Sequence, residues 1–234
     1  MNQKEVAVHQ GSKETYDKVG IFDPSKLPFS AYLGWSRMGL MGMLSDFYLS
    51  FSSGDILEIG AGESTVYFSW LAQKYNRRGF FCDLQGSIYE NALTVPGYFQ
   101  GNHVRVRVGE EPPIITNERN IIYTGSSDSF FESGLIKKPL AVALIDGGHE
   151  YETVRKDFWN IVPFIEETGA IFLHDCYPPN EEYMNPNLCG TGYKLRQEIQ
   201  EDSRFDVFTF VRSAINVGLT MVRKKPENLK YFQR

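Results

Sequence analysis

The sequence predicts one α/β domain: a mostly parallel sheet covered by helices on both faces and finished by an antiparallel hairpin. Three observations predict it. Strand-length segments recur along the chain with helical or irregular segments between them. The segments LAVALID (140–146) and GAIFLHD (169–175) are almost wholly apolar, as strands buried on both faces are. Near the C-terminus FDVFTFV (205–211) and NVGLTMVRK (216–224) are joined by a link too short for a crossover helix, so they must pair antiparallel.

Taken in order, residues 1–29 form an N-terminal arm that ends at Pro24 and Pro28. Apolar positions such as Leu33, Met41, Leu44, Phe47 and Tyr48 give a helix over 30–50, closed by Ser52, Ser53 and Gly54. ILEI (56–59) is the first strand and 64–75 a helix. GFFCD (79–83) is a strand, with a short helical piece near Ile88. HVRVRVG (103–109) alternates as an exposed strand does, so residues 93–118 are expected to be an inserted ribbon or loop. NIIYTG (120–125) is the next strand, followed by a short helix over DSFFESG. After 140–146 comes a helix over 151–166 with Val154, Phe158, Ile161, Val162 and Ile165 on one stripe. A helix over 192–201 precedes the hairpin. The domain is expected over 30–225, with a tail at 226–234.

The chain has 234 residues, enough for one domain with a full core. Its net charge of −5, without clustered Lys and Arg, speaks against nucleic acid as a partner. It has no run of about 18 apolar residues, so no membrane span is expected. Three cysteines (Cys82, Cys176, Cys189), none in CxxC spacing, fit a reducing compartment, and the cytoplasm is expected. The expected partner is a small-molecule substrate. A homo-oligomer is also envisaged, with the N-terminal helix and the inserted ribbon as its contact surfaces.

The first strand runs into Gly60-Ala61-Gly62 and then into a helix that opens with Ser64 and Thr65. Glycines there let the backbone turn sharply and approach a ligand, and the N–H groups at the helix start favour polar or anionic ligand atoms. Thr65 takes the place of the third glycine of a G-x-G-x-x-G dinucleotide fingerprint. Glu58 lies within the strand end, where a carboxylate needs hydrogen-bond partners. Asp83 ends the next strand, placed to accept the ribose hydroxyls of an adenosine or simply to form the turn.

These residues resemble the class I S-adenosylmethionine-dependent methyltransferases. Glu58, Gly60 and Gly62 look like the first motif of that family and Asp83 like its ribose-binding acid. TGSSDSFF (124–131) looks like its adenine-side turn, which would place Ser127 and Asp128 at the adenine edge. The resemblance implies a Rossmann-like three-layer sandwich with seven strands in the order 3-2-1-4-5-7-6. It implies S-adenosyl-L-methionine bound by Glu58, Gly60, Ala61, Gly62, Ser64, Thr65, Asp83, Ser127, Asp128 and Asp146. The run D-G-G-H-E-Y (146–151), followed by a strand ending His174-Asp175, resembles the macrocin O-methyltransferase-like branch, which modifies sugars and other small molecules.

Asp146 and Asp175 each end a central strand, where ligands of open α/β sheets bind. Two carboxylates converging there need a shared proton or cation. They predict a site for Mg²⁺ or another divalent cation; alternatively they cap the turns that follow. Metal-dependent relatives carry a third hard oxygen ligand after the second aspartate, where this chain has Cys176. His149 is the candidate proton acceptor, with Asp146 and Asp175 around the acceptor hydroxyl. By strand alternation His174 points away from Asp175 and is read as structural. His9 and His103 carry no role. The link 176–194 is expected to wall the acceptor side, with Tyr177, Tyr183, Tyr193 and Lys194 as further contacts or as loop anchors. Catalysis is thus assigned to His149, Asp146 and Asp175. The rival readings are an NAD-type oxidoreductase and a catalytically inactive cofactor-binding protein.

Overall fold

The computed structural model describes residues 29–86, 102–111, 115, 118–211 and 217–226. The N-terminal arm, the helical piece near Ile88, much of the 93–118 insertion and the C-terminal tail lie outside them.

Helix α1 (Phe29–Phe51) leads into β1 (Asp55–Ile59), α2 (Glu63–Lys74) and β2 (Gly79–Asp83). Then come β3 (His103–Arg107), β4 (Asn120–Thr124), α3 (Ser127–Glu132) and β5 (Leu140–Ile145). Helix α4 (Tyr151–Ile161), β6 (Ile165–His174), a 3-10 turn (Glu181–Met184), α5 (Tyr193–Glu201), β7 (Phe205–Phe210) and β8 (Leu219–Lys224) complete the domain.

The strands form one sheet in the order β3-β4-β2-β1-β5-β6-β8-β7. The pairs from β3 to β6 are parallel, and β8 pairs antiparallel with both β6 and β7. The seven strands expected from the sequence therefore lie in the expected order, with the terminal hairpin in place. The correction is an eighth strand: His103–Arg107, expected in an inserted ribbon, extends the sheet at its edge beside β4. Its alternation records an edge strand of which only Val106 is fully buried.

Alternation along the strands splits the core in two. Ile56, Phe81, Leu144 and Phe172 pack with Met41, Leu49, Tyr67 and Phe68 of α1 and α2. Leu57, Phe80, Ile145 and Leu173 pack on the opposite face with Phe130, Phe158, Leu195 and Ile199 of α3, α4 and α5. The result is a three-layer Rossmann-like sandwich.

Helix α4 stops at Ile161 rather than running to 166. Val162 is still helical, but Pro163 has no N–H to continue the ladder, and Ile165 is drawn into the sheet opposite Leu140. The pairing then jumps from Leu140↔Ile165 to Val142↔Ala170, and downstream of that shift Ile145 faces Leu173. This register sets Asp146 beside His174 at the carboxyl ends of β5 and β6.

Candidate active site

Gly60 leaves β1 with φ +85°, in the left-handed region. A Cβ there would stand 2.3 Å from the Asp146 carbonyl oxygen and 2.4 Å from Gly147 Cα. Glycine is required because the exits of β1 and β5 touch. The Asp146 N–H donates to the Ile59 carbonyl at 2.8 Å and the Gly60 N–H to the Cys82 carbonyl at 2.9 Å, so three strand ends are tied at one point.

Glu58 is fully buried and points toward the start of α2. The Ser64 hydroxyl donates to one of its oxygens and the Thr65 hydroxyl to the other, at 2.6 Å for Thr65. Thr65 Oγ1 also accepts the Gly62 N–H at 2.8 Å. The residue in place of the third glycine thus links the turn to the buried acid. Burial pushes the Glu58 carboxyl up to about 8, against the two hydroxyl hydrogen bonds and with help from the charges of Asp146 and Asp83.

A cavity of about 630 Å³ opens at the carboxyl ends of β1, β2, β4 and β5. Of the residues expected to bind a cofactor, Gly60, Ala61, Asp83, Ser127, Asp128 and Asp146 line it. Glu58, Gly62, Ser64 and Thr65 do not; Glu58, Ser64 and Thr65 are buried and hold the turn, while Gly62 is half-buried. Asp83 accepts the Gln85 N–H on Oδ1 at 2.6 Å, and burial raises its pKa. Sequence reasoning missed Gly147, Gly148, Glu152, Lys156 and Asp157, all of them in the lining.

The lining carries five carboxylates (Asp83, Asp128, Asp146, Glu152, Asp157) against one ammonium, Lys156, whose Nζ is 2.6 Å from Asp128 Oδ2. A cationic ligand is favoured there and an anionic pyrophosphate is opposed.

Asp146 joins this cavity to a second group of side chains. Ligand atoms of Asp146, His149 and Asp175 all lie within 4.8 Å of one another. His149 Nε2 is 3.3 Å from Asp175 Oδ2. His174, read as structural, instead belongs here: its Nδ1 donates to Asp146 Oδ1 at 2.8 Å and lies 3.2 Å from Asp175 Oδ1. Alternation fails because Asp175 has φ +55°, outside the strand region, so consecutive residues reach the same spot. Burial of His174 favours the neutral ring, but the hydrogen bonds and charges of Asp146 and Asp175 outweigh it and raise the pKa to about 10. The protonated ring keeps two carboxylates side by side.

Two carboxylates and an imidazole at this spacing are a donor set that fits a divalent cation, with His174 bracing the carboxylates from behind. Cys176 is fully buried, burial raises its thiol pKa, and it is not part of this cluster, in which His149 is the third candidate donor.

The segment 189–191 stands on His149. The Thr191 N–H donates to the His149 carbonyl at 2.8 Å, and Thr191 Oγ1 accepts the Tyr151 N–H at 2.8 Å at the start of α4. Gly190 has φ +55°, and a Cβ there would meet the His149 carbonyl oxygen at 2.4 Å. Of the loop residues singled out from sequence, Tyr177 is pinned beneath the Arg196 guanidinium at 5.0 Å, and Lys194 is exposed.

A glycine turn beside an acidic cavity, with acids at neighbouring strand ends, is the arrangement of a nucleoside-cofactor site in an α/β protein. A family model described as a methyltransferase domain matches residues 57–176, more than half of the chain, and the chain belongs to that family. No curated protein sequence matches it. Several solved structures share the fold. The S-adenosylhomocysteine-bound methyltransferase PaMTH1 of Podospora anserina is 16% identical with a TM-score of 0.57, over 94% of this chain and 99% of that one. An O-methyltransferase of Bacillus cereus in complex with S-adenosylhomocysteine is 13% identical with a TM-score of 0.56, over 91% and 88%. CalS11, a TDP-rhamnose 3'-O-methyltransferase of calicheamicin biosynthesis, is 15% identical with a TM-score of 0.50, over 94% and 97%. Among the described residues no helix is long and apolar enough to cross a membrane.

Proposed function

We propose that this protein transfers the methyl group of S-adenosylmethionine to a hydroxyl oxygen of a small molecule, a sugar or a sugar-bearing metabolite. The observation that carries the reading is the junction at Asp146, where a cavity lined by carboxylates meets the cluster of His149, His174 and Asp175. The acidic lining suits a sulfonium cation. The O-methyltransferases among the structural neighbours, one of them acting on TDP-rhamnose, support the acceptor class.

In this reading Asp83 holds the ribose, while Gly60 and Ala61 let the backbone approach the cofactor. Bound S-adenosylmethionine supplies an activated methyl group. The protein must place the acceptor oxygen in line with the methyl carbon and sulfur and keep water out. As the carbon–oxygen bond forms and the carbon–sulfur bond breaks, the hydroxyl proton passes to His149 Nε2. Asp175, 3.3 Å from that nitrogen, stabilises the imidazolium that results. A divalent cation held by Asp146 and Asp175, with His149 left uncoordinated, would lower the pKa of the acceptor hydroxyl.

The test is transfer of radiolabelled methyl from S-adenosylmethionine to a panel of sugar, nucleotide-sugar, phenol and amine acceptors. Label on a sugar hydroxyl is expected. Label on amines alone would overturn the reading.

A further inference from the structure

We infer that Asp157, rather than Asp128, accepts the hydrogen bond from the adenine amino group; the inference rests on the S-adenosyl cofactor proposed above. Asp157 lies in α4, six residues beyond Tyr151, or about 9 Å of helix rise. It forms part of the cavity wall together with Cys82, Asp83 and Ser127. Its residue is 2% exposed, yet its Oδ1 has no hydrogen-bond partner among the described residues. The Ser127 hydroxyl acts on this carboxylate to lower its pKa.

A buried carboxylate oxygen without a donor is costly, and a ligand N–H arriving there removes the cost. Burial raises the Asp157 pKa to about 6, opposed by the Ser127 hydrogen bond, so at neutral pH the group is mainly an ionised acceptor.

Asp128, the residue that resemblance assigns to the adenine, is already engaged. Its Oδ2 takes the Lys156 ammonium at 2.6 Å, its Oδ1 faces Asn160 Nδ2 at 3.5 Å, and its side chain is 40% exposed. This pairing engages the Lys156 ammonium with Asp128 and leaves the Asp157 Oδ1 open to the ligand.

The chemistry predicts a purine preference. The adenine 6-amino group donates, whereas the 6-oxo group of hypoxanthine presents an acceptor to Asp157 and is repelled. The experiment measures affinity for S-adenosylhomocysteine and S-inosylhomocysteine by calorimetry in wild type, Asp157→Asn and Asp128→Asn. Wild type is expected to prefer the adenosyl compound by roughly tenfold to a hundredfold, the range for a hydrogen bond to a charged group. Asp157→Asn, whose amide turns to donate to the 6-oxo group, is expected to lose most of that preference; Asp128→Asn keeps it. If Asp157→Asn does not fold, Asp157→Ala carries the same expectation of a lost preference. An unchanged ratio in the Asp157 variants, or a collapse confined to Asp128→Asn, overturns the inference. Wild type binding neither compound would instead bring down the cofactor reading itself.

Discussion

Thr65 Oγ1 stands 2.6 Å from Glu58 Oε2 and accepts the Gly62 N–H at 2.8 Å, so one hydroxyl ties the glycine turn to a fully buried acid. The turn is shaped from below by these hydrogen bonds, while Gly60 and Ala61 face the cavity. Replacing Thr65 with Val removes both bonds at nearly constant volume. The expected cost is about 1–3 kcal/mol in denaturant unfolding, with weaker S-adenosylhomocysteine binding.

Glu58 binds its proton more tightly in the folded protein, with a pKa of about 8 against the usual 4.5. Its contribution to stability is therefore complete below about pH 4.5 and is lost as pH rises through about 8. Thermal melts of Glu58→Gln between pH 5 and pH 9 should show a flatter pH dependence than wild type. Parallel curves would show that Glu58 titrates normally.

Gly60→Ala places a methyl group 2.3 Å from the Asp146 carbonyl in a backbone conformation that L-residues rarely adopt. Gly62→Ala adds one with no heavy atom within 4 Å. The first variant should lose several kcal/mol or fail to accumulate as folded protein, whereas the second should melt within a few degrees of wild type. Equal melting temperatures would refute the close contact of β1 with β5.

Binding and turnover should separate by residue. Asp83→Ala is expected to weaken S-adenosylhomocysteine roughly tenfold to a hundredfold, since under the proposed function it would remove charge-assisted hydrogen bonds to the ribose. His149→Ala should leave that affinity within about twofold and lower kcat by roughly 10²–10⁴, the range for general base catalysis. Calorimetry and steady-state kinetics on the two variants check the split.

A divalent cation at Asp146 and Asp175 should stabilise the native state by mass action. Titration with Mn²⁺ is expected to raise the melting temperature of wild type and to broaden the Mn²⁺ paramagnetic resonance signal. Asp175→Asn should abolish both effects. A wild-type protein indifferent to Mn²⁺ by both measures would exclude the cation site.

Much of this was legible in the chain. Apolar strands, a glycine turn and acids at strand ends are local signals, and they placed Gly60, Asp83, Asp146 and Asp175 correctly at the carboxyl edge of the sheet. What escaped depended on geometry that local patterns do not encode. His174 was sent to the wrong side because alternation assumes extended backbone, and Asp175 leaves it with φ +55°. The strand His103–Arg107 was taken for a ribbon because its alternation does not encode its parallel pairing with β4. Asp157 carried a signal that went unread: with Val154, Phe158 and Ile161 it completes the i, i+3, i+4, i+7 stripe of a buried helix face, where a carboxylate calls for a partner.

The support of segment 189–191 beneath His149 has a mechanical outcome. That short stretch of main chain is fastened to the peptide that carries the His149 ring, through the Thr191 N–H and the close seat of Gly190. Under the function proposed above, any displacement of 189–191 would also tug the imidazole, so mobility there and readiness for chemistry would be coupled.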